Sequence, residues 1–283
     1  MLDRIRQHNP RLNAIVTLTE DTALARAKAA DEARARGEWW GPVHGVPCTV
    51  KETFELAGAR TAAGSPTLAN HVSARDAVVV ERLKAAGAVI LGKTNVPLWA
   101  SDWQSYNEVF GATNNPWDTT RTPGGSTGGG AAALAAGLSY FEPSSDIGGS
   151  IRIPAHFCGV YGHKPTLGLV PLRGHVPPPP GTPPSPPPIL PVAGPLARSA
   201  ADLRAGLEIL GGPDAEDARA YRWSLPPARG TRLRDYRIGY VLDDPLCPVS
   251  SDVAAVLTRA VEALRKAGAS LAEGWPQGMN VAQ

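Results

Sequence analysis

Two glycine-dense stretches between residues 121 and 166 restrict the folds open to this chain more than any other feature. They read RTPGGSTGGGAAALAAGL and SSDIGGSIRIPAHFCGVYGHKPT. Glycine lacks a Cβ, so it reaches backbone conformations and close approaches that other residues cannot. Clusters this dense inside a folded domain mean backbone brought against something, by tight turns, by close helix packing or at a site. The first cluster runs into residues 128–137, which predict a short helix of small residues.

Around these clusters the apolar periodicity alternates. Residues 20–36 carry Ala, Leu and charges at helical spacing and stop at Gly37. Residues 46–50 form a short apolar strand closed by Lys51. A helix over about 75–86 leads into a second such strand at 88–91, closed by Gly92 and Lys93. Further elements are expected as a strand at 138–142, a helix at 200–210, a strand at 236–242 and an amphipathic helix at 253–267. This alternation predicts an α/β fold, a mixed central β-sheet covered by helices on both faces. Residues 176–191 hold so many prolines that they can neither donate ladder hydrogen bonds nor form a helix, and they read as an exposed loop within a single domain over 1–283.

The chain has 283 residues, 43% of them hydrophobic, enough for a substantial core. Twenty-eight basic residues balance 26 acidic ones for a net charge of +2, and no basic run is interleaved with aromatics. That pattern points away from nucleic acid and toward a small molecule. The longest stretch free of charge and proline, residues 128–141, is too short and too rich in Gly and Ala to span a membrane. The charged opening MLDRIRQHNPR does not read as a signal peptide. Cys48, Cys158 and Cys247 are too few and scattered for a disulfide framework or a zinc site, so a reducing, cytoplasmic setting without metal is expected.

For chemistry, residues 124–128 (GGSTG) match the G-x-S-x-G pattern, with His156, His163 and His175 downstream. That pattern needs a buried strand before the serine, whereas NNPWDTTRTP is polar and turn-forming. The same glycines lack the Lys-Ser/Thr pair of a phosphate loop. In Asp146-Ile147-Gly148-Gly149-Ser150 a side-chain-free backbone would let successive N–H groups converge beside the Ser150 hydroxyl as an oxyanion hole. Ser150 would still need a base. A lysine can serve if the protein brings its pKa about three below the ordinary value, worth roughly 4 kcal/mol, by burial and by hydrogen bonds to the neutral amine. Of six lysines, Lys51 and Lys93 both end apolar strands, and spacing alone leaves them equal.

Together these residues resemble the amidase signature family, which includes fatty acid amide hydrolase and the amidase subunit of the glutamyl-tRNA amidotransferase. The resemblance covers GVPCTVK (45–51), GKTNVP (92–97), FGATNNPWDTTRTPGGSTGGG (110–130), residues 146–166 and VAGPLARSAADL (192–203). It implies Ser150 as nucleophile, Ser126 as bridging serine behind a cis Gly125-Ser126 peptide bond, and Lys51 as ultimate base. It further implies an oxyanion hole from the amides of Ile147, Gly148, Gly149 and Ser150, with Gly125, Thr127, Asp146 and Arg152 in support. No metal or organic cofactor is implied; the partners are a small-molecule amide and a second copy in a homodimer. Thr127 stands where the family usually has a second serine, and Glu142-Pro143 replaces a more apolar approach to the nucleophile loop. Relatives continue well beyond this length, so the sheet is expected to be incomplete at the C-terminus. The implied activity is hydrolysis of a carboxamide to an acid and ammonia or amine. The alternatives are the amidase component of an amidotransferase, which works with partner chains, and an inactive member of the family. Residues 99–111 (WASDWQSYNEVFG) resemble general amidases more than that amidotransferase component.

Overall fold

The computed structural model describes residues 1–178, 189–215 and 217–279. It divides into two compact units, Met1–Ser224 and Leu225–Gln283. Most of the proline-rich stretch lies outside the described residues.

The first unit opens with α1 (Leu2–Leu12), which buries Ile5 and Leu12, and continues into β1 (Ile15–Leu18) and α2 (Glu20–Ala35). Then β2 (Pro47–Lys51), α3 (Val78–Ala85) and β3 (Val89–Thr94) form a parallel strand pair joined through a helix, with β1 antiparallel on the other side of β3. Two short strands, β4 (Tyr106–Asn107) and β5 (Gly111–Ala112), make a hairpin. The small-residue helix α4 (Gly128–Ala135) precedes β6 (Phe141–Asp146), α5 (Arg152–Cys158), β7 (Tyr161–Gly162), β8 (Val192–Ala197) and α6 (Ala200–Leu210). Strands β6, β8 and β7 form a second three-stranded, antiparallel sheet. It meets the first where the Tyr140 N–H reaches the Pro47 carbonyl at 3.3 Å and the Thr49 N–H reaches Ser139 Oγ at 3.0 Å.

Alternation along the strands separates two apolar clusters. Cys48, Val50, Ile90, Phe141 and Ala193 pack with α3 and α6, whereas Val89, Leu91 and Leu196 pack with α1, α4 and α5. The period of two along a strand places helices on both faces, as the sequence pattern predicts. Helix α4 shows why its residues are small. A Cβ on Gly130 would collide with the Glu142 carboxylate of β6, and one on Gly129 would collide with the backbone of Asn95.

The expected elements appear with shifted ends. The strand read at 138–142 runs instead over Phe141–Asp146. Leu138 still belongs to the helix end, its N–H bonded to the Ala133 carbonyl at 2.8 Å. Proline inside β6 does not break the ladder, because Pro143 faces Pro195 and both missing donors fall on one rung. In the second unit β9 (Arg237–Tyr240) and β10 (Ser270–Glu273) pair in parallel around α7 (Ser251–Lys266). Asp252 in the first turn of α7 and Arg265 and Lys266 in the last suit its dipole. Among the described residues no helix is long and apolar enough to cross a membrane.

Candidate active site

Three backbone devices bring the site together: the end of β2, the turn before α4 and the loop after β6. Strand β2 closes on Lys51, whose side chain is fully buried. Its Nζ lies 2.7 Å from Ser126 Oγ, 2.9 Å from Ser145 Oγ and 3.2 Å from the Ser145 carbonyl oxygen. Ser126 follows a cis Gly125-Ser126 peptide bond. Backbone of residues 102–104 packs against Gly125 so closely that a Cβ there would lie 2.6 Å from the Gln104 nitrogen. The Asp102 side of this wall also lines a cavity of about 510 Å³ with Leu98, Tyr106 and Glu108. The Thr127 N–H donates to the Ser150 carbonyl at 3.2 Å, tying the two serine segments together, and both serines are buried.

The loop carrying Ser150 is wound around one carboxylate. Asp146, the last residue of β6, accepts from the amides of Gly149 (2.8 Å), Ile151 (2.9 Å) and Arg152 (3.3 Å). The Arg152 guanidinium adds Nε and Nη2 bonds of 3.1 and 2.8 Å. Burial pushes the Asp146 carboxyl upward, but the bonds from Arg152, Ile151 and Gly149 outweigh it and hold the group down at about 2. Gly149 sits at φ 120°, and a Cβ there would lie 2.6 Å from Ile153 Cδ1, so only glycine fits the turn. Ile147 and Gly148 are exposed beside the buried Ser150.

Electrostatics separates the two strand-end lysines that spacing left equal. Burial brings the Lys51 amine down to about 7, against the opposing pull of Glu142 and Asp146. Lys93 is also fully buried and brought down to about 8. It sits 3.7 Å from the Glu52 carboxylate and donates to the Arg60 carbonyl at 3.0 Å and Thr61 Oγ1 at 2.5 Å. Lys93 is thus engaged in a buried ion pair and touches neither serine. Cys48 and Cys158 are buried thiols pushed up to about 12, far from the thiolate that reactivity requires. Among the described residues no group of three or more His, Cys, Asp or Glu side chains converges as metal ligands would.

Sequence reasoning missed three neighbours of this site. Ser145 touches Lys51 directly. Glu142, fully buried, accepts from Thr49 Oγ1 at 2.6 Å and Thr94 Oγ1 at 2.7 Å, and burial raises its carboxyl to about 7. His175 lies 2.7 Å from Ser145 Oγ, and burial, with the Lys51 charge, drives its imidazole down to about 3. The signal for Ser145 and Glu142 was the strand itself. With β6 read as ending at 142, Ser145 fell in a loop. No local pattern marked His175, which follows the second glycine stretch at a distance.

With the geometry known, the comparisons are specific. The family model described as Amidase matches residues 1–280. The chain is 41% identical over 272 residues to the amidase component of the glutamyl-tRNA(Gln) amidotransferase of Moorella thermoacetica, covering 95% of this chain and 54% of that protein. Among solved structures, native peptide amidase from Stenotrophomonas maltophilia superposes with a TM-score of 0.80 at 34% identity over 96% of this chain and 57% of that one. Fatty acid amide hydrolase superposes with a TM-score of 0.81 at 29% identity over 92% of this chain and 46% of its own. The chain therefore spans about half the length of the relatives it matches. Both the sequence match and the architecture agree with the mixed α/β sheet described above, and the chain belongs to the amidase signature family.

Proposed function

We propose that this chain carries the cleavage centre of an amidase, hydrolysing a carboxamide through an acyl-enzyme on Ser150, with Ser126 and Lys51 relaying the proton. The observation that carries the reading is the fully buried Lys51 amine, brought down to about 7 and hydrogen-bonded to Ser126 Oγ at 2.7 Å. A lysine in that state is neutral in a substantial fraction at pH 7 and can take a proton.

In this cycle Ser126 gives its proton to Lys51 and receives that of Ser150, while Ser150 Oγ attacks the amide carbonyl. Carbonyl π-electrons move to oxygen, and the resulting oxyanion faces the loop amides. The Gly149 N–H is already donated to Asp146, so the remaining donors are the amides of Ile147, Gly148 and Ser150. The C–N bond then breaks as Lys51 returns the proton through Ser126 to the leaving nitrogen. Water attacks the ester by the same route in reverse, releasing the acid. Asp146 and Arg152 hold the loop's shape, and Gly125 and Thr127 hold the bridging serine.

A second reading, the amidase component of an amidotransferase, draws on the relative at 41% identity, whose name is that of such a component. It would need partner chains and would pass ammonia on rather than release it. Under the amidase reading the partners are a small-molecule amide and a second copy of the chain, both units form one amidase domain, and the setting is the cytoplasm. Ammonia release from primary amides by the purified chain decides between them. Turnover that Ser150→Ala abolishes supports the amidase. Activity that appears only with added partner chains supports the amidotransferase.

A further inference from the structure

A lysine that serves Ser126 as a base must aim its lone pair at that hydroxyl. Once neutral, Nζ has two N–H groups and one lone pair, and three oxygens surround it: Ser126 Oγ, Ser145 Oγ and the Ser145 carbonyl. The carbonyl can only accept, so it takes one N–H. The Ser145 hydroxyl then decides the rest. If its proton points at Nζ, it occupies the lone pair and leaves only an N–H for Ser126, which then has no acceptor for its proton. If its proton points elsewhere, the Ser145 oxygen accepts the second N–H and the lone pair faces Ser126.

His175 is that elsewhere. Its Nε2 lies 2.7 Å from Ser145 Oγ, while the same oxygen lies 2.9 Å from Lys51 Nζ. The imidazole packs on Phe54 with 4.7 Å between ring centroids, and Phe54 and His175 also pair through their backbones, three residues after Lys51. Both ends of the chain of bonds are thus fixed to the end of β2.

We propose that His175 is a positioning residue: its unprotonated Nε2 accepts the Ser145 O–H, which turns the Ser145 oxygen toward Lys51 and aims the Lys51 lone pair at Ser126. This rests on Lys51 being the base of the reading above. The groups facing the network agree with it. Lys51 from β2 opposes a second positive charge on the ring, while Glu142 and Asp146 act on Lys51 from β6. A neutral ring with Nε2 as acceptor carries its proton on Nδ1.

The test is a double-mutant cycle with the full chain, read in kcat and KM on an amide that the wild type hydrolyses, beside the histidine 15N spectrum of the wild type. His175→Phe and Ser145→Ala each lower kcat by about 10-fold to 100-fold, part of what a general base contributes, with KM nearly unchanged. The double variant loses no more than the worse single, since both remove one orientation. His175→Gln, whose amide oxygen can accept, recovers most of the rate, and His175 shows Nδ1 protonated and Nε2 bare. Additive losses, a wild-type kcat in His175→Phe, or a proton on Nε2 overturn the proposal. A wild type that turns over no amide overturns the amidase reading instead, and the spectrum alone then decides the direction of the Ser145–His175 bond.

Discussion

At the residue scale, three buried titratable groups impose competing demands. Lys51 is brought down by burial, and the Glu142 charge pulls it back up. Removing that charge must therefore lower the amine further: Glu142→Gln shifts the rising limb of kcat/KM to lower pH, read from a pH–rate profile. The sign of the stability change follows from the same group. The folded Lys51 pKa lies below its ordinary 10.5, at about 7, so its contribution is full above the unfolded value and is lost as pH falls toward 7. Asp146 works in the acid range. Its depressed carboxyl contributes stability that is present above the ordinary carboxylate value and lost as pH falls through about 2. Asp146→Asn, which loosens the charge-assisted bonds to the loop, destabilises by about 2 kcal/mol in denaturant unfolding at pH 7. Little of this is legible in the sequence. Spacing cannot tell Lys51 from Lys93, because both end buried strands and only their partners differ, two serines for one and Glu52 for the other.

At the element scale, the close seat of α4 on the sheet places Ser126 at its leading end. Gly130 lies directly over Glu142, so Gly130→Ala forces the helix or the carboxylate to move. An overpacked site of this kind costs about 1–3 kcal/mol, measurable as a lower denaturant midpoint, with a drop in turnover because the same helix carries the bridging serine. Composition makes this element readable, since a run of Gly and Ala announces close packing. The register of β6 is not readable. Pro143 and two serines obscure the strand period, and it is the facing Pro195 in β8 that lets the ladder accept them. With the register misjudged, the partners of Lys51 on that strand stay invisible, although the residue itself is identified. Helix α1, with Pro10 inside it and two buried apolar side chains, offers too narrow a stripe to be noticed.

At the scale of the whole molecule, every group in the proposed relay lies within Met1–Ser224. A chain ending after Ser224 should therefore still be labelled at Ser150 by a fluorophosphonate, with the adduct located by peptide mass spectrometry. The fold class is legible from alternation of apolar strands and helical stretches, because that pattern requires only local periods. The division at residue 224 is not, because no change in composition marks it. The proposed chemistry stands or falls on a buried, neutral Lys51 drawing the proton of Ser150 through Ser126, and the rate of Ser150 labelling against pH reads that step. The expected rate rises through pH about 7, the value to which burial brings Lys51, and in Lys51→Met labelling falls by about 1000-fold or more with no such limb. A Ser150 that labels equally fast without Lys51, or a limb that persists in its absence, would contradict the relay.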